Sequence, residues 1–490
     1  MHAGVAKYFV IATVYQYKER FMNPRNDTGG EARGVRPWVL SFPGILLLAA
    51  LCVVMGTGCA TIRRAREAQD GKKAPPGERT VRAGDIGLGS NTVLAVGDAV
   101  RVGLQYRPAV VQARQSLAAA VAQERAAMSA YWPAVDASAG YTRRTANSAG
   151  TASSSRSSDS YSGSLGLDLL VYDFGRTPAE VRQAVEQRVA AEASLRAARN
   201  DVVYEVRAAF FELCRAQELL QVAEESVRQF QTHLEQVRVF AEVGIRIRYD
   251  VTKAEVDLGN ARLSRIDAAN ARMTARAALN QSLGLAEDPG FQVMAGEPEP
   301  YAGTPEGLMA VARERHPELQ VLQARERAAS AAVDAAIASL YPSLRVGGDY
   351  GASGSQFPLT WNWSMMARSA LSLFTGWRQT AQVDAAVAAL RAARSRVAER
   401  EQQIYLEIRR GLSSLDTAIE RQGLAELIVR EAQESLALVS ERYRQGKASA
   451  IEVTDAQVAL TGARSDRVKA RFGRQTAVAQ IQHAIGSGDL

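Results

Sequence analysis

The sequence predicts a mainly α-helical protein with a small β part, written twice along a chain of 490 residues. Three observations lead there. Alanine is abundant, charges are mixed in sign and aromatic content is only 7%, a composition that favours long helices. A helix–Gly–helix motif recurs, "FAEVGIRIRYDVTKAEV" at 240–256 and "RYRQGKASAIEVTDAQV" at 442–458, with Gly244 and Gly446 separated by 202 residues, as are Val251 and Val453. Between the helical stretches lie segments that alternate apolar and polar residues, the period of a strand.

The repeat extends beyond the turns. "YRPAVVQARQ" at 106–115 aligns with "RHPELQVLQAR" from 315, pairing Pro108 with Pro317, Trp132-Pro133 with Tyr341-Pro342 and Tyr141 with Tyr350 at an offset of 209. From Tyr172 and Phe374 onward the offset is 202 and holds through Gly284 and Gly486. Seven extra residues therefore fall between Tyr141 and Tyr172, an interval that contains the Ser-rich, turn-prone "RRTANSAGTASSSRSSDS". So constant an offset over so long a stretch marks an internal duplication.

Each repeat then reads in the same order. A helix over about 96–131, and again over about 305–340, ends at an aromatic-Pro step that biases the chain out of helix. Strands follow at 135–142 and 161–171. In the second repeat Leu344, Val346, Gly348 and Tyr350 share one face, as do Trp361, Trp363, Met365, Leu371 and Leu373 on the return strand. Trp and Tyr near strand ends suit a membrane interface. "TPAE" at 177–180 reads as a helix start, with Thr177 as cap, Pro178 in the first turn and Glu180 reaching back. No breaker follows until Gly244, giving a helix of roughly 100 Å at 1.5 Å per residue. A shorter helix over about 251–283 spans roughly 50 Å, so two short helices stacked end to end match the long one. That arrangement suggests a cylinder of helices with strands at one end and the glycine turns at the other.

Four strands per chain leave open edges, which lipid does not tolerate. Strands of about ten residues are long enough to cross a bilayer when tilted. Several copies must therefore close one barrel; the residues allow two, three or more.

The N-terminus reads as an export signal. Arg33 and Arg36 precede the apolar run from Ile45 to Met55, too short for a comfortable span. Gly56, Thr57 and Gly58 then lead into Cys59, an ending that resembles the lipobox of bacterial lipoproteins, in which the cysteine is acylated. It departs from that pattern at Gly56, where Leu is preferred. An ordinary cleaved signal is the plainer reading, and Met22 is a second candidate start beside Met1. The chain divides into a leader (1–58), a lipid-anchored N-terminal segment (59–95), a first repeat (96–284), a linker (285–303), a second repeat (304–486) and a tail (487–490).

Net charge is +7, of which the leader holds +3. The remainder is too dispersed to favour nucleic acid. Cys52, Cys59 and Cys214 form neither a disulfide framework nor a zinc cluster at these spacings. His233, His316 and His483 are scattered and read as surface or core residues, and Cys214, beside Leu213 and Phe211, as a small packed hydrophobe. No phosphate loop, nucleophile elbow or HExxH helix occurs, so no enzyme, cofactor or metal is expected.

The order helix–hairpin–long helix–Gly turn–helix, written twice, resembles the TolC family of outer-membrane efflux proteins over about 96–486. "YWP" and "YP" before the hairpins, "VYDFGR" and "LFTGWR" after them and the two glycine turns carry the resemblance. It implies a homotrimer in the outer membrane with a twelve-strand barrel and a long α-helical barrel through the periplasm. It also implies docking to a periplasmic adaptor (a membrane fusion protein) and to an inner-membrane pump or ABC transporter. The implied role is a passive exit duct for tripartite efflux or type I secretion, and Cys59 resembles the anchor of the lipoprotein members.

The family's turn pattern maps onto Gly244, Ile245, Gly446, Lys447 and Ser449 as adaptor-docking tips. Ile245 is a mild change from the family's Leu and Lys447 a sharp one; Ile247 replaces a hydroxyl. The family's periplasmic gate maps onto Asp250, Tyr443, Glu452 and Asp455, while its gate arginine is Ala448 here. Simpler readings stand beside these. Acids in a first helical turn offset the helix dipole, and the glycines serve as helix stops. The alternative for the whole chain is a periplasmic coiled-coil lipoprotein without a pore, which has no need of apolar strands.

Overall fold

The structure is a computed structural model that describes residues 61–69, 92–146, 156–244, 247–294, 296, 301 and 303–487. The leader, Cys59 and Ile245 lie outside the described residues. The chain forms two compact units, 1–74 and 75–490. The first contributes an exposed helix, α1, over 61–69.

The second unit contains the duplication. Its first repeat runs α2 (Val96–Tyr106), α3 (Pro108–Met128), β2 (Ala134–Ala146), β3 (Arg156–Tyr172), α4 (Arg176–Glu242) and α5 (Arg248–Leu283). The second runs α6 (Pro305–Arg315), α7 (Pro317–Ala338), β5 (Ser343–Gly354), β6 (Thr360–Ala370), α8 (Arg378–Arg444) and α9 (Ala450–Ala484). The long helices α4 and α8 each have 67 residues, and α5 and α9 have 36 and 35. Among the described residues no helix is long and apolar enough to cross a membrane.

Two expected helices are each broken. The stretch over 96–131 splits at Arg107 (ψ 129°) and that over 305–340 at His316 (ψ 116°). Both residues precede a proline, whose ring excludes the helical conformation one position upstream. In each repeat the C-terminal glycine of the last helix packs against this break. A Cβ on Gly284 would lie 3.1 Å from the Tyr106 carbonyl oxygen, and one on Gly486 would lie 2.8 Å from the His316 Cα.

The start of α4 also differs from expectation. Thr177 is not the cap: the helix begins one residue earlier, and Thr177 donates its N–H (2.7 Å) and hydroxyl (2.6 Å) to Asp173 Oδ2. Glu180 accepts from Arg176 instead of reaching back to the cap. The turn before each long helix uses two successive left-handed residues, Phe174 and Gly175 in the first repeat, Gly376 and Trp377 in the second. The aromatic and the glycine have exchanged places, so one repeat holds Phe and the other Trp in a conformation that costs a side chain roughly 1–2 kcal/mol.

The strands form one antiparallel sheet in the order β2-β3-β5-β6. Registers run from Ala134 opposite Asp168 to Ala146 opposite Arg156, and from Ser343 opposite Ala370 to Ser353 opposite Thr360. The expected Ser-rich loop is partly strand: Arg143 to Ala146 and Arg156 to Ser160 pair across the hairpin. Leu371 and Leu373 lie beyond the end of β6 rather than on its face. Every residue of β6 is exposed, including Trp361, Trp363 and Met365. A short parallel pair, β1 (Val93–Leu94) with β4 (Gln292–Val293), joins the segment before the first repeat to the linker. Sequence periodicity gave no sign of these two-residue strands.

Three apolar clusters hold the helices. One gathers Leu94, Phe210, Leu213, Leu279, Phe291 and Phe472, with Cys214 buried in it; burial pushes that thiol up to about 12. A second gathers Leu308, Leu319, Ile404, Ile408 and Ile481. The third surrounds the glycine turns.

Candidate functional site: the paired helical turns

Helix α4 ends at Glu242, and Gly244 (φ +80°) donates its N–H to Ala241 O at 3.1 Å. Helix α8 ends at Arg444, and Gly446 (φ +74°) donates to Tyr443 O at 3.0 Å while Lys447 donates to Arg442 O at 2.8 Å. Glycine suits both positions because positive φ is unstrained without a Cβ. A Cβ at either would meet nothing within 4 Å, so the requirement is conformational rather than steric.

The two turns restart their helices differently. Ser449 caps α9 in a full capping box: its hydroxyl accepts from Glu452 N–H (3.3 Å), and Glu452 Oε1 accepts from Ser449 N–H (2.9 Å) and hydroxyl (3.1 Å). The backbone N–H of Ser449 is the main cause that holds the Glu452 carboxyl below its usual range, with its hydroxyl and Arg442 adding to it. Arg442 lies 3.9 Å from the same carboxylate and donates to Lys447 O at 3.3 Å, bracing the turn. At the equivalent cap of α5 stands Ile247, with cap geometry and no side-chain hydrogen bond. Replacing a hydroxyl or carboxylate cap with a residue that cannot accept costs about 1 kcal/mol.

Asp455 is exposed one turn beyond Glu452, and Asp250 is half-buried in the first turn of α5. Tyr443 is not at a surface: only 2% exposed, it packs among Phe230, Leu234, Val237, Ala254, Ala450 and Val453. These residues come from both sides of both turns, so the fold brings the two turns onto one cluster. The Tyr443 ring lies 5.5 Å from His233 and 5.8 Å from Phe240, centre to centre.

His233, read from sequence only as a surface or core residue, and Asp257, which the sequence did not single out, complete this region. His233 is buried, and burial lowers its pKa while Asp257 and Asp250 act in the opposite sense. Asp257 is also buried, ion-paired with Lys253 and accepting from Thr454 Oγ1 at 3.3 Å, which ties α5 to α9. A cleft of about 410 Å³ runs past Thr232, His233, Gln236, Tyr443 and Gln457. The Lys253–Asp257 spacing of four was a visible helical pair, but nothing in sequence shows which neighbour covers it. Among the described residues no group of three or more His, Cys, Asp or Glu is placed to hold a metal ion.

Residues 100–285 and 308–487 match the model of the family described as outer membrane efflux protein. The chain is 25% identical over 342 residues to the outer membrane protein OprJ of Pseudomonas aeruginosa, covering 66% of this chain and 70% of the relative. It is 25% identical over 384 residues to the probable efflux pump outer membrane protein TtgC of Pseudomonas putida, covering 75% and 78%. Among solved structures, CusC superposes with a TM-score of 0.74 at 19% identity, covering 81% of this chain and 93% of that one. The outer membrane protein VceC of Vibrio cholerae superposes at 0.73 and 19%, covering 80% and 96%. The two matched segments correspond to the two repeats, and the fold is that of the solved structures. The chain therefore belongs to the outer membrane efflux protein family and is a non-catalytic outer-membrane channel.

Proposed function

We propose that three copies of this chain form the exit duct, each contributing its four strands to one closed barrel, and that the glycine turns meet a periplasmic adaptor coupled to an inner-membrane pump. The observation that carries this is the state of the sheet. Among the described residues its outer strands β2 and β6 each pair on one side, and β6 exposes Trp361, Trp363 and Met365 along one face. An apolar face with unpaired edges is stable in lipid only when neighbouring copies complete the ladder.

Further support comes from apolar rows on the helices. Val256, Leu263, Ile266 and Met273 on α5 are exposed at spacings of seven, three and seven, and Leu424, Leu427 and Leu438 are exposed on α8. Such seams bury themselves against a neighbouring helix. A scaffold protein without a pore accounts for the seams and leaves the apolar strands unexplained.

In this reading Glu452 and Asp455, repeated around the threefold axis, give the narrow end a negative field, and lipid on Cys59 adds a second hold on the membrane. Cargo is chosen by the pump. The test is the mass of the detergent-extracted full chain. One species at three times the protomer mass is expected; a stable monomer, or recovery from the soluble periplasm, overturns the proposal.

A further inference from the structure

His233 and Gln457 line the cleft of about 410 Å³ from two different helices, α4 and α9. His233 is 3% exposed and Gln457 is 6% exposed. Among the described residues neither His233 Nε2 nor Gln457 Oε1 has a hydrogen-bond partner. A buried polar atom left unpaired costs the fold its desolvation, so in folded proteins nearly every one meets a partner. The cleft is where a partner for both atoms can enter.

The duplication shows that the fold does not impose this pair. At the offset of 202, His233 corresponds to Ser435 and Gln457 to Glu255. Both counterparts are exposed, and Glu255 accepts from Arg238 at 2.6 Å. One repeat buries two unmet polar atoms beside a cleft; the other has none at the same positions.

The lining narrows the ligand. Its charged groups are Glu225, Arg228, Arg444 and Arg464. Glu225 holds Arg464 at 2.6 Å, and Glu441 holds Arg444 at 3.2 Å. Arg228 is exposed, with no ion-pair partner among the described residues. One cation is therefore left over for one negative charge on the ligand. The single carboxylate of the lining is already engaged by Arg464, which argues against a metal cation. Gln229, Thr232, Gln236 and Ser440 add amides and hydroxyls. Burial lowers the His233 pKa and favours the neutral ring. A hydroxyl both donates and accepts, so it can serve that ring in either tautomer and the amide oxygen as well.

We propose that this cleft is a binding site for a small hydroxycarboxylate, a monoanion carrying several hydroxyl groups. The carboxylate lies toward Arg228 at the rim, and the hydroxyls bridge His233 of α4 to Gln457 of α9. Every lining residue comes from one protomer, so the site stands apart from the assembly reading above.

The probe is gluconate, titrated by calorimetry onto the full chain in detergent. Glucose, which lacks the charge, and hexanoate, which lacks the hydroxyls, are the matched controls. Gluconate should bind saturably and raise the melting temperature, and each control should bind at least about tenfold more weakly, the order of one lost hydrogen bond. Gln457→Leu removes the unmet oxygen at similar volume. It should weaken gluconate about tenfold while the ligand-free melting temperature holds or rises. Arg228→Gln, on the exposed rim, should weaken gluconate about tenfold and leave glucose unchanged. Glucose or hexanoate binding as tightly as gluconate overturns the hydroxycarboxylate assignment. Gluconate that binds both variants as it binds wild type sits elsewhere, and the site falls. If none of the three binds saturably, the cleft holds water alone and the proposal is overturned.

Discussion

The Cα of His316 lies 2.8 Å from the point where a Cβ on Gly486 would sit. Gly486 has φ +73°, and the Pro317 Cδ is nearer still at 2.7 Å. Gly486→Ala should therefore add two costs: roughly 1–2 kcal/mol for the left-handed backbone and about 1–3 kcal/mol for overpacking. Gly446→Ala incurs only the first, because nothing lies within 4 Å of its Cβ position. Thermal melting in detergent should show the larger drop for Gly486→Ala. Equal drops would mean that the His316 break yields to accommodate the methyl group.

His316 itself is 1% exposed, and burial pushes its pKa down to about 4, with Arg400 and His483 adding to it and Asp201 opposing. Its folded pKa is below the ordinary value of about 6.5, so the unfolded chain binds more protons between the two. The stability this contributes is present above the ordinary value and is lost as pH falls toward the folded one, at about 1.4 kcal/mol for each pH unit crossed. His316→Leu should flatten the melting-temperature profile between about pH 7 and about pH 4.5 relative to wild type. Parallel profiles would remove His316 as the source.

Glu452 offers a way to separate capping from permeation. Glu452→Gln keeps an oxygen that can close the capping box and removes the charge. Because the carboxyl pKa is lowered in the fold, its contribution persists above the ordinary carboxylate range and disappears as pH falls through the folded value. In planar bilayers, Glu452→Gln with Asp455→Asn should lose cation preference and flatten the conductance response to acid, while melting barely changes. An unaltered permeability ratio and pH response would reduce both residues to helix caps.

Lipid on Cys59 is tested independently of the barrel. Wild type should incorporate labelled palmitate and Cys59→Ser should not, while trimers persist because the strands still insert. Each buried methylene of the acyl chain adds about 0.8 kcal/mol of membrane affinity. An unlabelled wild type would leave Cys59 an ordinary residue of the leader region.

Much of the architecture was legible because it rests on local rules. The constant offset, the absence of breakers from 177 to 244 and the alternation at 361–365 follow from helix and strand periods. The structure has α4 and α8 at equal length and the four expected strands in one sheet. The glycine turns were legible because Gly244 and Gly446 need positive φ, a conformation that glycine alone adopts freely. The pauses at Arg107 and His316 were available in the same way, through Pro108 and Pro317, but the helical pattern on either side masked them.

Tertiary structure decided everything that depends on a neighbour. Periodicity says that Tyr443 and His233 lie on helical faces; only packing buries Tyr443 in the cluster between the turns and sets its ring 5.5 Å from that of His233. The cap position of α4 is Gly175 rather than Thr177, and Thr177 instead donates its N–H and hydroxyl to the Asp173 carboxylate across two left-handed residues. Glu452 as a charge in a channel and Glu452 as a cap look alike in sequence, since both require an acid in a first turn. The distances to Ser449 and Arg442 set its local partners. Sequence determines what each side chain can do, whereas burial and partners, which set pKa values and leave surfaces such as Ile247 open, arise only when distant segments meet.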